Sequence, residues 1–324
     1  MVTTTWDRTD PGAAVVDAAA RCSNWGRWGD DDRVGTLNLV EPADRARAAR
    51  LIRRGAVFSL AQPFDAEGPQ TGWRRRTNPV HTMLSSGLDS SESQQFPHGI
   101  SGADDVVFMP LQCSTQWDGL GHIFDRGRAW NGRVAAEVVT SEGDLVTGIE
   151  RTAALMVGRG VLLDVGRVVG VDGELEDGYP VTVEDLERTI EAHGSTADVG
   201  RGDFLLVRTG QYTRARRIGW GGYAGGPAPG LSFGTLEWLH ERAVAAVATD
   251  TWGVEVRPNE FDDAFQPFHQ VAIPHMGLTL GEMWDLDGLG ADCAADGVHE
   301  FFLSAAALPI TGAVGSPVNP LAIK

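Results

Sequence analysis

Two runs of the chain, "RGVLLDVGR" (159–167) and "GDFLLVRTG" (202–210), do most to limit what it can fold into. Each is a continuous apolar stretch of strand length bounded by glycine, as expected of a strand buried on both faces. Between them, "TVEDLERTIEAHG" (182–194) opens on Thr182, carries Asp185 three residues on, and stops at Gly194. A cap, its reciprocal partner and a glycine stop sign both ends of a helix. "FGTLEWLHERAVAAVATDT" then gives a helix that runs into a strand around "VAAVATD". Strand–helix–strand alternation of this kind defines an α/β protein.

The remaining segments fit around that frame. "PADRARAARLIRR" (42–54) is expected to be an amphipathic helix, with Pro42 in its first turn and Gly55 just past its end. "AVFSLAQPF" has strand composition, and "VVFMPL" (106–111) is a short apolar run. Residues 63–100 lack a period and are expected to form loops and short strands. "GWGGYAGGPAPG" (219–230) is read as a loop, on the surface or over a pocket, and not as a phosphate loop, because no GK[ST] follows it. With no internal repeat and no long linker, 1–324 is expected to be one domain, residues 1–24 being an N-terminal extension.

Composition narrows the function. Lys and Arg total 27 against 44 Asp and Glu, a net charge of −17, which argues against nucleic acid or an anionic membrane as partner. The basic runs Arg74–Arg76 and Arg214–Arg217 are read as solvated loop residues rather than a grip on an acidic substrate. No apolar stretch approaches the roughly 20 residues of a spanning helix, and the N-terminus lacks the pattern of a signal peptide. A cytoplasmic location is therefore expected. Cys22, Cys113 and Cys293 lie far apart with no CxxC, so neither a disulfide framework nor a zinc-thiolate site is expected.

The chemistry concentrates in "LQCSTQWDGLGH" (111–122). If "MPLQCSTQWD" is extended, Gln112, Ser114, Gln116 and Asp118 share one face, while Leu111, Cys113, Thr115 and Trp117 share the other. Gly119 and Gly121 then let the chain turn and bring His122 back toward the polar face. Cys113 would face away from the polar row, which disfavours it as a nucleophile. Downstream, "FHQVAIPHMGLTLGEMWDL" (268–286) places His269, His275 and Glu282 in an apolar setting, where a carboxylate needs a partner. Asp250 ends the strand "AVATD", a position where α/β proteins often carry chemistry.

These residues resemble the signature HxGTHxDxPxH of the cyclase family of metal-dependent hydrolases, which includes bacterial kynurenine formamidase and isatin hydrolase. Laid on this chain, it runs from Gln112 to His122. Thr115, Asp118 and His122 match, and both leading histidines are glutamines. "DDRVGTLNLVEPADRARAARLIRRG", "IFDRGRAWNG", "GRGVLLDV" and "GDFLLVRTG" resemble the family as well, so the likeness spans about Trp25 to Leu289. It implies a swivelling β/β/α fold with a central, barrel-like mixed sheet and flanking helices. It also implies a divalent metal, Zn or Mn, held by Gln112, Gln116 and Asp118 with His269. His122 is then the acid/base, with Glu282 completing the site. Whether His269, Gln270 or His275 is the downstream ligand stays open. The glutamine form resembles a subgroup that includes trans-dienelactone hydrolase.

A glutamine carbonyl is a harder and weaker donor than imidazole, so the exchange lowers affinity for zinc and shifts preference toward Mn or Mg. The competing arrangement is metal-free, with Gln112 and Gln116 donating N–H groups to a substrate carbonyl while Asp118 orients His122. In either form the expected activity is hydrolysis of a small lactone or cyclic amide, or cleavage of an aryl amide. Trp117 and Trp220 are expected to contact a small-molecule substrate. A non-hydrolytic cyclase, dehydratase or isomerase, and a non-catalytic binding relative, are the alternatives. The family resemblance implies a homodimer or homotetramer.

Overall fold

The buried apolar runs form the middle of a nine-stranded mixed sheet. The computed structural model describes residues 6–91 and 97–324. Its sheet contains β1 (Val57–Ser59), β2 (Gln116–Asp118), β3 (Val157–Asp164), β4 (Phe204–Arg208), β5 (Ala246–Thr249), β6 (Thr279–Glu282), β7 (Glu300–Ser304), β8 (Gly315–Pro317) and β9 (Leu321–Ile323). Their spatial order is β1-β9-β7-β3-β4-β5-β6-β2-β8. The central strands β3 to β6 run parallel, and both flanks are antiparallel. Every residue of β4, β5 and β6 is buried, which explains why these strands show no alternation in the sequence. The result is an α/β fold, a curled, half-barrel-like mixed sheet flanked by helices.

The signed helix forms where its caps place it, at Val183–His193. Thr182 Oγ1 accepts from the Asp185 N–H, Asp185 returns the bond to the Thr182 N–H, and Gly194 takes a φ of 76°. The helix expected over 42–54 is shorter. It spans Pro42–Ala48, tightens into a 3-10 turn at Ala49–Leu51 and stops. The chain is drawn off there because the N–H groups of Arg54 and Ala56 both donate to the Lys324 carbonyl beyond the end of β9. The N-terminal helix Pro11–Cys22 buries Ala14, Val15, Ala18 and Cys22 in the main core.

Residues 80–85 and 104–108 pair as a separate antiparallel arm that leaves Leu84, Val106, Val107 and Phe108 exposed. Among the described residues, no helix is long and apolar enough to cross a membrane.

Candidate active site

The site grows from the pairing of β2 with β6. Glu282 lies opposite Gln116, and Leu280 opposite Asp118. Gln116, Asp118 and Glu282 therefore project from one face. Trp117 projects from the other, where its indole N–H donates to the Ala305 carbonyl and its ring meets Trp284 edge-on. Gly281 makes room for that ring: a Cβ there would lie 2.8 Å from Trp117 and 2.6 Å from the Ala248 side chain. On the polar face the Gln116 amide nitrogen bridges two carboxylates, donating to Glu282 Oε2 at 2.7 Å and to Asp118 Oδ1 at 3.3 Å.

His269 is carried in by the short helix Pro267–Val271. Its Nε2 lies 3.2 Å from Glu282 Oε1 and its Nδ1 2.6 Å from Glu255 Oε1. The Glu255 carboxylate also accepts the backbone N–H groups of Phe268 and His269, each at 3.1 Å. Glu255 thus locks the imidazole in orientation from behind, as buried partners of ligating histidines do. The segment continues as a π-helical turn, Ala272–Met276, which carries His275 away. His275 pairs with Asp125 at 2.9 Å and stacks on Trp25. Gln270 also donates to Asp125. The downstream residue of the cluster is therefore His269.

His122 follows β2 through a turn closed by its own N–H donating to the Gly119 carbonyl. Gly121 is obligatory there, since a Cβ would fall 2.1 Å from Asp144 Oδ2. The imidazole ends 3.7 Å from Asp118 Oδ1, close enough for electrostatic pairing but too long for a hydrogen bond.

Burial sets the protonation states. Burial and the neighbouring Glu282 carboxylate push Asp118 up to about 8. Burial, reinforced by Arg76, His269 and Arg74, pushes His122 down to about 3, so it is a neutral imidazole at physiological pH. Burial opposes charge on His269 as well, but hydrogen bonds to Glu255 and Glu282 raise it to about 10.

The donor set fits a divalent cation. Asp118, His269 and Glu282 each offer one ligand atom, and those atoms lie within 4.8 Å of one another. Two buried carboxylates side by side are costly without a positive charge to offset them. Gln116 Oε1 is buried with no hydrogen-bond partner, and a half-turn of the amide exchanges its oxygen and nitrogen. Carboxylate and amide oxygens with one imidazole are a common donor set for a divalent cation.

The other expected residues are placed as follows. Strand geometry begins only at Gln116. Residues 111–115 form turns and bends, so the extended alternation expected over 109–118 does not hold upstream of β2. Thr115 turns inward instead, with its hydroxyl donating to the Met283 carbonyl and accepting from the Gln62 N–H. Gln112 lies over Gly315, whose Cα is opposite Asp118, and its buried amide nitrogen has no partner. No hydrogen bond among the described residues joins Gln112 to the cluster. Trp117 is fully buried, which makes it core and not a surface that substrate reaches. Trp220 packs between Tyr212 and Tyr223, against the apolar group that includes Trp252 and Met283, and its indole N–H donates to the Glu67 carbonyl. Cys113 is buried, and burial pushes its thiol up to about 11. Asp250 accepts from the Thr209 N–H and hydroxyl and from the Gly210 N–H, tying the end of β4 to the end of β5. The 219–230 loop is more than surface: Gly225, Gly226 and Pro227 line a cleft of about 390 Å³ together with Glu255, Arg257, Phe265 and Gln266.

Sequence reasoning missed Glu255 and Arg257, and it read Arg76 as solvated where the structure buries it to 8% exposure. A glutamate inside the apolar alternation "GVEV" was the available signal for the first.

Comparison with known proteins agrees with this geometry. The family described as "Putative cyclase" matches residues 46–256, and a solved structure described as a novel cyclase is 38% identical. That alignment covers 94% of this chain and 99% of the other, with a TM-score of 0.86. The chain belongs to the cyclase family. Isatin hydrolase A from Ralstonia solanacearum is similar in fold, at 19% identity over 87% of this chain and 97% of that one, with a TM-score of 0.61. Isatin hydrolase A from Labrenzia aggregata, bound to benzyl benzoate, shows 18% identity over 85% and 94%, with a TM-score of 0.59. No curated protein shows significant sequence similarity to the chain. What the fold and the site define together is a cyclase-family protein with a buried His/Asp/Glu cluster suited to hydrolytic, metal- or His-assisted water chemistry.

Proposed function

We propose that the protein is a hydrolase that opens a small lactone or cyclic amide, or cleaves an aryl amide, by attack of water. The observation that carries this reading is a half-buried, neutral imidazole, His122, set 3.7 Å from the Asp118 carboxylate beside the His269–Glu282 pair. A divalent cation held by Asp118, His269, Glu282 and the Gln116 amide oxygen would polarise the carbonyl and acidify a water. His122 accepts the proton of the attacking water and returns it to the leaving oxygen or nitrogen. Asp118 steadies the imidazolium that forms, and Glu255 keeps His269 from rotating. The unbonded Gln112 amide nitrogen is a donor for the developing oxyanion. The glutamines at 112 and 116 resemble the variant that includes trans-dienelactone hydrolase, and that resemblance is the reason for favouring a lactone.

The test is turnover of a panel of lactones, cyclic imides and aryl amides in oxygen-18 water, alongside metal analysis and chelation. A ring-opened acid that carries one solvent oxygen is expected. A product without solvent oxygen, or no turnover across the panel, overturns the hydrolase. Full activity in metal-free protein would leave the His122–Asp118 pair to act alone.

We also propose that the chain assembles as a homodimer or homotetramer. A two-stranded arm alone is marginally stable in water, and the exposed Leu84 and Phe108 give a second copy an apolar edge to cover. Light scattering should report a multimer that the double variant Leu84→Asp, Phe108→Asp reduces to monomer.

A further inference from the structure

In a chain this acidic, arginines readily find carboxylates. Arg208 pairs with Asp164 and Asp287, Arg214 with Asp177, and Arg217 with Glu174. Three guanidinium groups beside the candidate site depart from that pattern. Arg76 is only 8% exposed, and its side chain makes no ion pair or hydrogen bond among the described residues. Arg257 is half-buried, and its Nε has no partner. One of its terminal nitrogens donates to the Gly225 carbonyl. Arg74 likewise has no ion pair among the described residues.

What these arginines have instead is aromatic rings. Arg76 lies 5.5 Å from the Trp252 ring. Arg257 lies 5.5 Å from Trp252, 5.6 Å from Trp73 and 5.5 Å from Phe265. Arg74 lies 5.9 Å from both Trp73 and Phe265. The rings touch one another as well, Trp73 meeting Trp252 at 5.1 Å and Phe265 at 5.8 Å. Stacking on a ring face orients a guanidinium but leaves its N–H fork unspent, and that fork matches a carboxylate.

The group adjoins the reacting centre. Arg257 and Phe265 line the same 390 Å³ cleft as Glu255, the partner of His269. Gly253, the residue after Trp252, faces the cluster: a Cβ there would lie 3.7 Å from Glu282 Oε1. Burial, with Arg76 beside it, lowers Arg74, and burial lowers Arg257. The carboxylates of Asp118 and Glu282 oppose the shift at Arg74, and those of Glu255 and Glu282 oppose it at Arg257, which places both guanidinium groups beside the cluster.

We infer that Arg74, Arg76 and Arg257, stacked on Trp73, Trp252 and Phe265, form a subsite for the carboxylate of a planar, anionic substrate. This rests on the hydrolase reading for what happens to the substrate but not for its binding. The bond to be opened then belongs to a molecule that already carries an acid group. The carboxylate takes the guanidinium forks, the planar body lies against the rings, and the scissile carbonyl reaches toward His122. The competing role for the arginines is to offset the cluster's own negative charge, which requires no ligand.

Benzoate and its neutral counterpart benzamide separate the two roles, titrated into the full-length protein as purified and followed by calorimetry and tryptophan fluorescence. Benzoate is expected to bind at least about tenfold more tightly than benzamide, with an affinity that falls as salt rises. Arg76→Gln and Arg257→Gln should each remove that preference while benzamide binding stays within about twofold, and Arg76→Lys should restore part of it. If Arg76→Gln fails to fold, Trp73→Ala, at a ring 40% exposed, probes the same subsite and should weaken both probes by removing the platform. Equal affinities in the native protein, or Arg variants that lose both probes equally, overturn the subsite. Benzoate selectivity with no turnover of any lactone or amide would leave the subsite standing and reject the hydrolase.

Discussion

His122 is half-buried and His269 fully buried, each lies beside carboxylates of the one cluster, and the two are opposite in behaviour. At His122 burial, with the charges of Arg76, His269 and Arg74 added to it, outweighs the one carboxylate at 3.7 Å, so its proton is expelled. His269 is gripped by Glu255 at 2.6 Å and Glu282 at 3.2 Å, so its proton is held. Burial penalises the imidazolium at both positions, and the number and closeness of carboxylates decides whether the penalty is met. In the proposed mechanism one residue type would fill two roles, His122 as the base that accepts a proton and His269 as the anchor whose proton a cation would displace.

Exchanging each histidine tests that division. His122→Ala should lower kcat/KM by about 10² to 10⁴-fold, the range for losing a positioned general base, with the content of bound metal unchanged. His122→Ala protein that also loses its metal would break the contrast, by making His122 a ligand. The next effect concerns protons. Asp118 is held up to about 8 and His269 up to about 10, so a cation entering the cluster at neutral pH must displace protons from both. The sign follows: affinity for Mn or Zn falls as pH falls, by up to about a hundredfold per unit below pH 8. Metal titrations at several pH values, in buffers of different ionisation enthalpy, would count the protons released, and a pH-independent affinity would contradict the arrangement. Glu255→Gln comes third. It keeps the shape but removes the charge behind His269, and should weaken metal binding by about 10 to 100-fold, as loss of a supporting carboxylate does.

The two basic runs show where the sequence was legible and where it stopped being so. Arg214–Arg217 and Arg74–Arg76 look alike as text. Arg214 and Arg217 lie on the helix Gln211–Ile218 and not in the loop expected of them, and they end on Asp177 and Glu174, whereas Arg76 is buried beside Trp252 with no carboxylate partner among the described residues. Nothing local separates them, because the difference lies in whether a distant segment supplies an acid or a ring. Asp118 and His122 came from the spaced motif and Glu282 from the cost of a lone buried carboxylate, whereas His269 rested on the family resemblance, which left Gln270 and His275 open until the His269–Glu282 contact. The central strands were legible because burial on both faces writes itself as an unbroken apolar run. The alternation assumed for 109–118 failed because the ladder with β6 begins only at Gln116, and the chain before it turns to deliver the Thr115 hydroxyl to the Met283 carbonyl.

Cys113 carries the smallest expected effect and sharpens the contrast from the other side. It lies inside the motif and is the nearest alternative to water as nucleophile. Only the thiolate attacks, and burial pushes this thiol up to about 11, so its reactive form is scarce at neutral pH. The side chain is fully buried and the Cys113 carbonyl accepts from the Gln70 amide, a bond the side chain does not make. Cys113→Ala should therefore keep kcat within about twofold and lower stability by about 1 kcal/mol through lost packing. Paired kinetic and thermal-denaturation measurements distinguish the outcomes. A folded, stable Cys113→Ala protein without turnover would move the chemistry from the imidazole to the thiol and dissolve the distinction between the two histidines.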